Sequence, residues 1–115
     1  MRMKVIDVYQ QYFQAECLYN DLPRKGVLVS LTYTYDAGVT KYEVNVSFFP
    51  YRDPEDMAIT YDAFSSKVIY EAPGRRSRKR EAVFLDEISL HADALAQEMG
   101  GVIYWDKPLI EARFG

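Results

Sequence analysis

The sequence predicts an α+β domain in which an antiparallel sheet of four to five strands carries two helices packed on one face. Apolar and polar residues alternate over segments 27–35 and 41–48, which is the period of half-buried strands. In segments 4–19 and 78–99 the apolar residues instead recur every three or four positions, as in amphipathic helices. The predicted order is α-β-β-β-β-α-β in a single domain spanning residues 1–115.

A first helix is predicted from Lys4 to Tyr19. A strand over the first residues is the alternative, because Val5, Ile6 and Val8 are β-branched. Segment 21–26 ends this element, since it contains a proline and a glycine. The residues that define the apolar stripe of the helix are Val5, Val8, Tyr9, Tyr12, Ala15 and Leu18.

Segments 27–35 and 41–48 are predicted to form an antiparallel hairpin. The link between them, residues 36–40, contains Gly38, which a short hairpin loop requires. One face of each strand is apolar and the other is polar, so one face of the hairpin is expected to be buried. The predicted inward residues are Val27, Val29, Leu31, Tyr33, Tyr35, Tyr42, Val44, Val46 and Phe48.

The second half of the chain is predicted to contain two shorter strands, a helix and a last strand. The shorter strands, 57–61 and 67–70, are placed around a turn at Ser65 and Ser66. The helix, 78–99, places Phe84, Leu85, Ile88, Ala92, Leu95 and Met99 on one stripe. Segment 100–101, two glycines, ends that helix, and 102–105 is the last strand, ended by a proline.

Composition indicates a soluble, cytoplasmic protein. The only cysteine, Cys17, cannot form an internal disulfide, which favours a reducing compartment. No apolar segment approaches the roughly 18 residues of a transmembrane helix, and no signal-peptide pattern is found at the start, so no membrane partner is expected.

Residues 75–80, which we call the basic segment, contain five cations and precede the predicted helix 78–99 directly. Because the formal net charge is -3, subtracting these five positive charges leaves -8 on the rest of the chain. Cations are unfavourable at a helix N-terminus unless an anion binds there, so the pattern favours docking to an acidic group. A solvated loop with screened charges is the alternative. The cations are Arg75, Arg76, Arg78, Lys79 and Arg80.

The sequence gives little sign of catalytic chemistry. His91 is the only histidine, which excludes sites built on several histidines, and Cys17 has no base near it in sequence. The acidic loop Asp53, Glu55 and Asp56 lacks the spacing of a calcium site, so it is interpreted as a solvated loop. Neither a cofactor nor a metal is predicted. An enzyme is the least favoured class of protein, and the enzyme considered is a small hydrolase.

These observations predict a non-enzymatic protein that binds another macromolecule, most plausibly a protein. Within that class, an inhibitor or immunity-type protein of a toxin or enzyme fits the size and charge polarity. A nucleic-acid or phosphate-binding accessory protein that uses the basic segment is the alternative. The sequence does not indicate an oligomeric state. The predicted partner-binding residues are Arg75, Arg76, Arg78, Lys79, Arg80, Asp53, Glu55, Asp56, Tyr33 and Tyr35.

Overall fold

A computed structural model of the chain describes residues 5–19, 22–50 and 63–109. They form a sheet of five antiparallel strands in the order β4-β3-β2-β1-β5, with two helices between β4 and β5, so the α+β class is confirmed. The first four strands follow one another across the sheet, and the helices lead from one edge to the other. The elements are β1 (Val5–Tyr19), β2 (Leu22–Asp36), β3 (Val39–Phe49), β4 (Ala63–Pro73), α1 (Arg78–Asp86), α2 (Ile88–Glu98) and β5 (Gly101–Pro108).

The predicted first helix is wrong, because segment 5–19 is strand β1. This strand pairs with β2 along one side and with β5 along residues 13–17 on the other, so its backbone hydrogen bonds are made in the sheet. The pairing register shifts between Asp7 and Tyr9 and again between Gln14 and Cys17. Each such bulge inserts an extra residue and interrupts the regular alternation. The supposed stripe mixes different environments, because Ala15 packs in the main core, Tyr12 packs in a second cluster with Phe49, and Val5 and Leu18 are exposed.

The predicted hairpin is confirmed as β2 and β3. Asp36 pairs with Val39, so the loop consists of Ala37 and Gly38 alone. Both have positive φ, 54° and 78°, as a type I′ turn requires. Of the predicted inward residues, only Tyr33 and Tyr35, next to the turn, are not buried. The buried ones are Val27, Val29, Leu31, Tyr42, Val44, Val46 and Phe48.

Strand β4 is a single element from Ala63 to Pro73, so the turn predicted at Ser65 and Ser66 is wrong. Both serines lie within the ladder with β3, where Ser66 pairs with Asn45. Pairing with a long neighbouring strand satisfies the backbone groups, and it outweighs the weak turn preference of two serines. The predicted strand 57–61 lies outside the described residues.

Segment 78–99 is helical as predicted, but it forms two helices that are separated at Glu87. The two helices were predicted in separate segments, 4–19 and 78–99. In the structure α1 and α2 both lie within segment 78–99. Helix α2 buries Ile88, Ala92 and Leu95 in the core and contacts β3, β4 and β5. The following Gly100 has φ 71°, which is the left-handed stop that the sequence predicts, and β5 contains the predicted strand 102–105.

Candidate functional site

The basic segment joins β4 to α1 and is fixed at its start by the turn of the β2–β3 hairpin. The backbone N–H of Gly74 donates to the carbonyl of Gly38 at 2.9 Å, and the Thr40 hydroxyl donates to the carbonyl of Gly74 at 2.6 Å. Ser77 is the N-cap of α1, and its hydroxyl accepts a hydrogen bond from the backbone N–H of Arg80 at 3.2 Å. Hydrogen bonds therefore hold Gly74, directly before the segment, to the distant hairpin, and join Arg80 to Ser77 within the segment.

Arg76 is held by an internal carboxylate. Its Nε and one terminal nitrogen donate to the two oxygens of Glu81 at 2.9 and 2.6 Å, which is the paired geometry of a strong Arg–carboxylate interaction. Its other terminal nitrogen donates to the Tyr33 hydroxyl at 3.3 Å, and its guanidinium lies 4.6 Å from the centre of that ring. The charge of Arg76 is thus largely matched within the protein.

Glu81 and Tyr42 form the buried end of this network. Only 4% of the Glu81 surface is exposed, and the Tyr42 hydroxyl donates to Glu81 Oε2 at 2.6 Å while it accepts from the backbone N–H of Ser77 at 3.2 Å. Burial, followed by the hydrogen bond to Glu81, raises the pKa of Tyr42 to about 12. Burial opposes ionisation of Glu81, but the hydrogen bonds from Arg76 and Tyr42 outweigh it and lower its pKa. Glu81 therefore carries its charge at neutral pH.

Arg80 is held by an aromatic ring. Its guanidinium lies 4.5 Å from the centre of the Tyr70 ring, on strand β4. Tyr70 belongs to a cluster with Tyr42 and Phe84, whose ring centres lie 6.1 and 5.8 Å from its own. This cluster packs α1 onto the sheet through Phe84.

The three remaining cations of the segment, Arg75, Arg78 and Lys79, are exposed, as is Arg80, but unlike Arg80 none of them has a ring contact described. Among the described residues, no carboxylate lies within ion-pair distance of any of the three. They are the part of the basic segment that is available to a partner. We call Arg75, Arg78 and Lys79 the outer cations, and Arg76 and Arg80 the inner cations.

The surface around the outer cations is concave. Arg75 shares a cavity of about 210 Å³ with Tyr33, Tyr35 and Arg76. A groove of about 330 Å³ along α1 is lined by Ser77, Lys79, Arg80, Val83 and Phe84. A third cavity, of about 430 Å³, lies on the β1 side and is lined by Asp7, Val8, Arg76, Arg78, Glu81, Ala82 and Leu85.

The structure thus brings part of the predicted site together. Tyr35 is 47% exposed and lies beside Arg75, whereas Tyr33 is half-buried and already contacts Arg76. The three predicted acidic residues, Asp53, Glu55 and Asp56, lie outside the described residues.

Sequence reasoning missed Glu81, Tyr42 and Tyr70, the residues that hold the inner cations in place. A partial signal was present, because Glu81 is the first acidic residue after the basic segment and lies five positions from Arg76. No local signal pointed to Tyr42, because it lies 39 residues from Glu81 in the chain.

Two other residues that the sequence analysis considered, Cys17 and His91, lie on β1 and α2. Cys17 is buried on β1, with its sulfur 3.4 Å from the Met99 carbonyl oxygen, and His91 is half-buried on α2. Within ranges 5–19, 22–50 and 63–109, no three His, Cys, Asp or Glu side chains are grouped so that they could hold a metal ion. No described helix has the length and apolar character to cross a membrane.

The chain matches no protein-family model, no curated protein and no solved structure. Its function must therefore be argued from the site itself.

Proposed function

We propose that this protein is a small, non-enzymatic binding protein whose outer cations dock an acidic surface of another protein. One observation carries the proposal. Within a single segment, Arg76 is paired with Glu81, whereas Arg75, Arg78 and Lys79 are exposed to solvent and form no ion pair with a described carboxylate. Cations that served only to keep the protein soluble would not need their segment to be held by an ion pair such as Arg76–Glu81.

Electrostatics favour an acidic partner at this position. The outer cations flank the N-terminus of α1, where backbone N–H groups already attract negative charge. The chain outside the basic segment is formally at -8, so an acidic partner would be attracted to this lobe and repelled elsewhere. Such a distribution increases association rates and orients the partner.

A protein partner suits the surface better than nucleic acid does. The groove along α1 combines cations with the exposed side chain of Val83 and the ring of Phe84, and Tyr35 stands exposed beside Arg75. Aromatic and apolar groups next to arginine are typical of protein interfaces. Three cations on an otherwise acidic chain offer few phosphate contacts, and a duplex would meet repulsion beyond them.

In its narrowest form, the proposal is that the partner is an enzyme or toxin that this protein inhibits. The size and the charge polarity of the chain support that form, because inhibitors of this kind rely on charge complementarity for fast and selective association. An inhibitor has no need of its own catalytic groups.

The test compares two variants with the same net charge. In the first, Arg75, Arg78 and Lys79 are replaced by alanine. In the second, three cations elsewhere, Lys25, Lys41 and Lys107, are replaced by alanine. Each variant moves the formal charge from -3 to -6 by the loss of three positive charges. Tagged forms of each and of the wild type are used for affinity capture with mass spectrometry, followed by titration of the purified captured protein.

We expect the wild type and the Lys variant to bind the same acidic protein, and the outer-cation variant to lose at least ten-fold in affinity. The wild-type affinity should fall as salt is added. Equal binding by both variants would refute the proposal. A mobility shift of a DNA or RNA probe by the wild type, lost only in the outer-cation variant, would establish the nucleic-acid alternative instead.

A further inference from the structure

The two edges of the sheet are protected to very different degrees. Edge strand β5 has eight residues and ends in Asp106, Lys107 and Pro108, and such short, charged and proline-terminated edges resist pairing with other strands. Edge strand β4 has 11 residues, and no other described strand pairs with its outer side. Within the described residues, an edge of this length presents a row of backbone donors and acceptors that no other strand pairs.

Strand β4 also carries two exposed apolar side chains on one face of the sheet. Phe64 is 56% exposed and Val68 is 45% exposed. They pair with Ser47 and Glu43, so they lie on the face opposite to the core residues Val44 and Val46 of β3. Between Ala63 and Val68 the only charged residue is Lys67.

We propose that this edge binds the same edge of a second copy of the chain, with the two β4 strands antiparallel about a two-fold axis at Ser66. The two sheets would then continue into one. This inference is independent of the proposed function, because the outer cations take no part in it.

The geometry of β4 points to this register. Its described residues pair with β3 without interruption from Ala63 to Val68, and Ile69 is the extra residue at the register shift. Phe64 and Val68 are the exposed apolar residues of this stretch, and a two-fold axis at Ser66, midway between them, pairs Phe64 of one copy with Val68 of the other. This apolar pair occurs twice, as the symmetry of a dimer requires.

Charge distinguishes this register from its neighbours. Residues that pair directly across two antiparallel strands lie on the same face of the sheet. The two-fold axis must therefore lie beside a residue that pairs with its own copy, and each alternative register moves the axis by a whole residue. An axis at Lys67 would place the two Lys67 side chains opposite each other, which is repulsive. An axis at Ser65 would place Phe64 opposite Ser66 and lose the apolar pairs. With the axis at Ser66, Lys67 faces the small neutral Ser65.

The first test is the mass of the protein in solution, by light scattering after size exclusion over a dilution series. We expect the mass to rise from 13.4 kDa toward twice that value as concentration increases. The double variant Phe64→Asp and Val68→Asp should remain at 13.4 kDa throughout. The matched control is Val102→Asp on β5, because Val102 is 55% exposed on the other edge, and this variant should dimerise like the wild type.

A second variant keeps the inference testable if the double aspartate variant does not fold. Ser66→Cys places a thiol on the proposed axis, where two opposite Cβ atoms are close enough for a disulfide after small adjustment. We expect mild oxidation to link Ser66→Cys into a dimer and to leave Val102→Cys monomeric. A wild type that stays at 13.4 kDa at every concentration, or a dimer that is disrupted by Val102→Asp and not by the β4 changes, would overturn the inference.

Discussion

The inner and outer cations occupy one segment of six residues, yet the protein uses them in opposite ways. Arg76 is half-buried and paired with Glu81, and Arg80, although exposed, lies over the Tyr70 ring of the sheet. Arg75, Arg78 and Lys79 point to solvent. The comparison teaches that a run of like charges is not one functional unit, because neighbouring side chains on a turn and a first helical turn face different surroundings.

The inner cations also explain how the outer ones can be presented in a fixed arrangement. A flexible loop would lose conformational entropy on binding, whereas a segment already held by Arg76 and Ser77 loses less. The inner cations should therefore control stability and the outer cations should control binding. Three substitutions can break or sharpen this distinction.

The largest expected effect is that of Arg76→Ala. Removal of the guanidinium leaves Glu81, which is 4% exposed, as a buried carboxylate with only Tyr42 as its hydrogen-bond donor. Loss of one partner of a buried ion pair typically destabilises a protein by about 3 kcal/mol. Urea unfolding followed by circular dichroism measures the change. Its control is Arg78→Ala, for which we expect less than about 0.5 kcal/mol, as for most exposed positions. Equal losses in both variants would contradict the distinction.

A smaller effect is expected for Tyr42→Phe, which removes the hydroxyl that bridges Glu81 and Ser77. At neutral pH the lost buried hydrogen bonds should cost about 1 to 3 kcal/mol of unfolding free energy. The pKa of Tyr42 is about 12 in the folded protein and 10.0 for an ordinary tyrosine. The folded state therefore binds this proton more tightly, so the stabilisation is complete below pH 10 and is lost as the pH rises toward 12.

The stability difference between wild type and Tyr42→Phe should consequently narrow from pH 10 to pH 12, because only the wild type loses this contribution. Urea titrations at several pH values in that range measure it. Tyr35→Phe is the control, since Tyr35 is exposed, and its difference from wild type should stay near zero. A Tyr42→Phe difference that is constant or that widens with pH would contradict the assignment.

The smallest effect is expected for Arg80→Ala. A cation above an aromatic ring at an exposed site contributes about 0.5 to 1 kcal/mol, and the exposed Arg80 guanidinium lies 4.5 Å from the ring centre of Tyr70. Lys79→Ala is the matched control, because it removes one charge from the same helical turn without a ring contact. If differential scanning calorimetry gives the same melting temperature for both variants, Arg80 belongs with the outer cations.

The sequence predicted the hairpin well and the first element poorly, for one physical reason. In β2 and β3 the alternation is unbroken over the whole length, so the buried face can be read directly. In β1 two register shifts interrupt the alternation and apolar residues serve two separate clusters, so together their spacings imitate a helix. A bulge depends on how a strand meets its neighbours, and those neighbours are not visible in the segment itself.

The same reason separates what was foreseeable at the site from what was not. The concentration of cations and their position before a helix are local features of the chain. The pairing of Arg76 needs Glu81 to be buried against Tyr42, which reaches the site from strand β3. The sequence around the basic segment does not indicate that contact.

The sequence by itself determined that the chain combines half-buried strands with amphipathic helices, and that its positive charge is concentrated in one place, because both are properties of residue order. Only the tertiary structure decided which of those charges are held internally and which strands form the edges of the described sheet. Both outcomes depend on contacts between residues that are far apart in the chain, and side-chain burial and strand pairing exist only once those residues have been brought together.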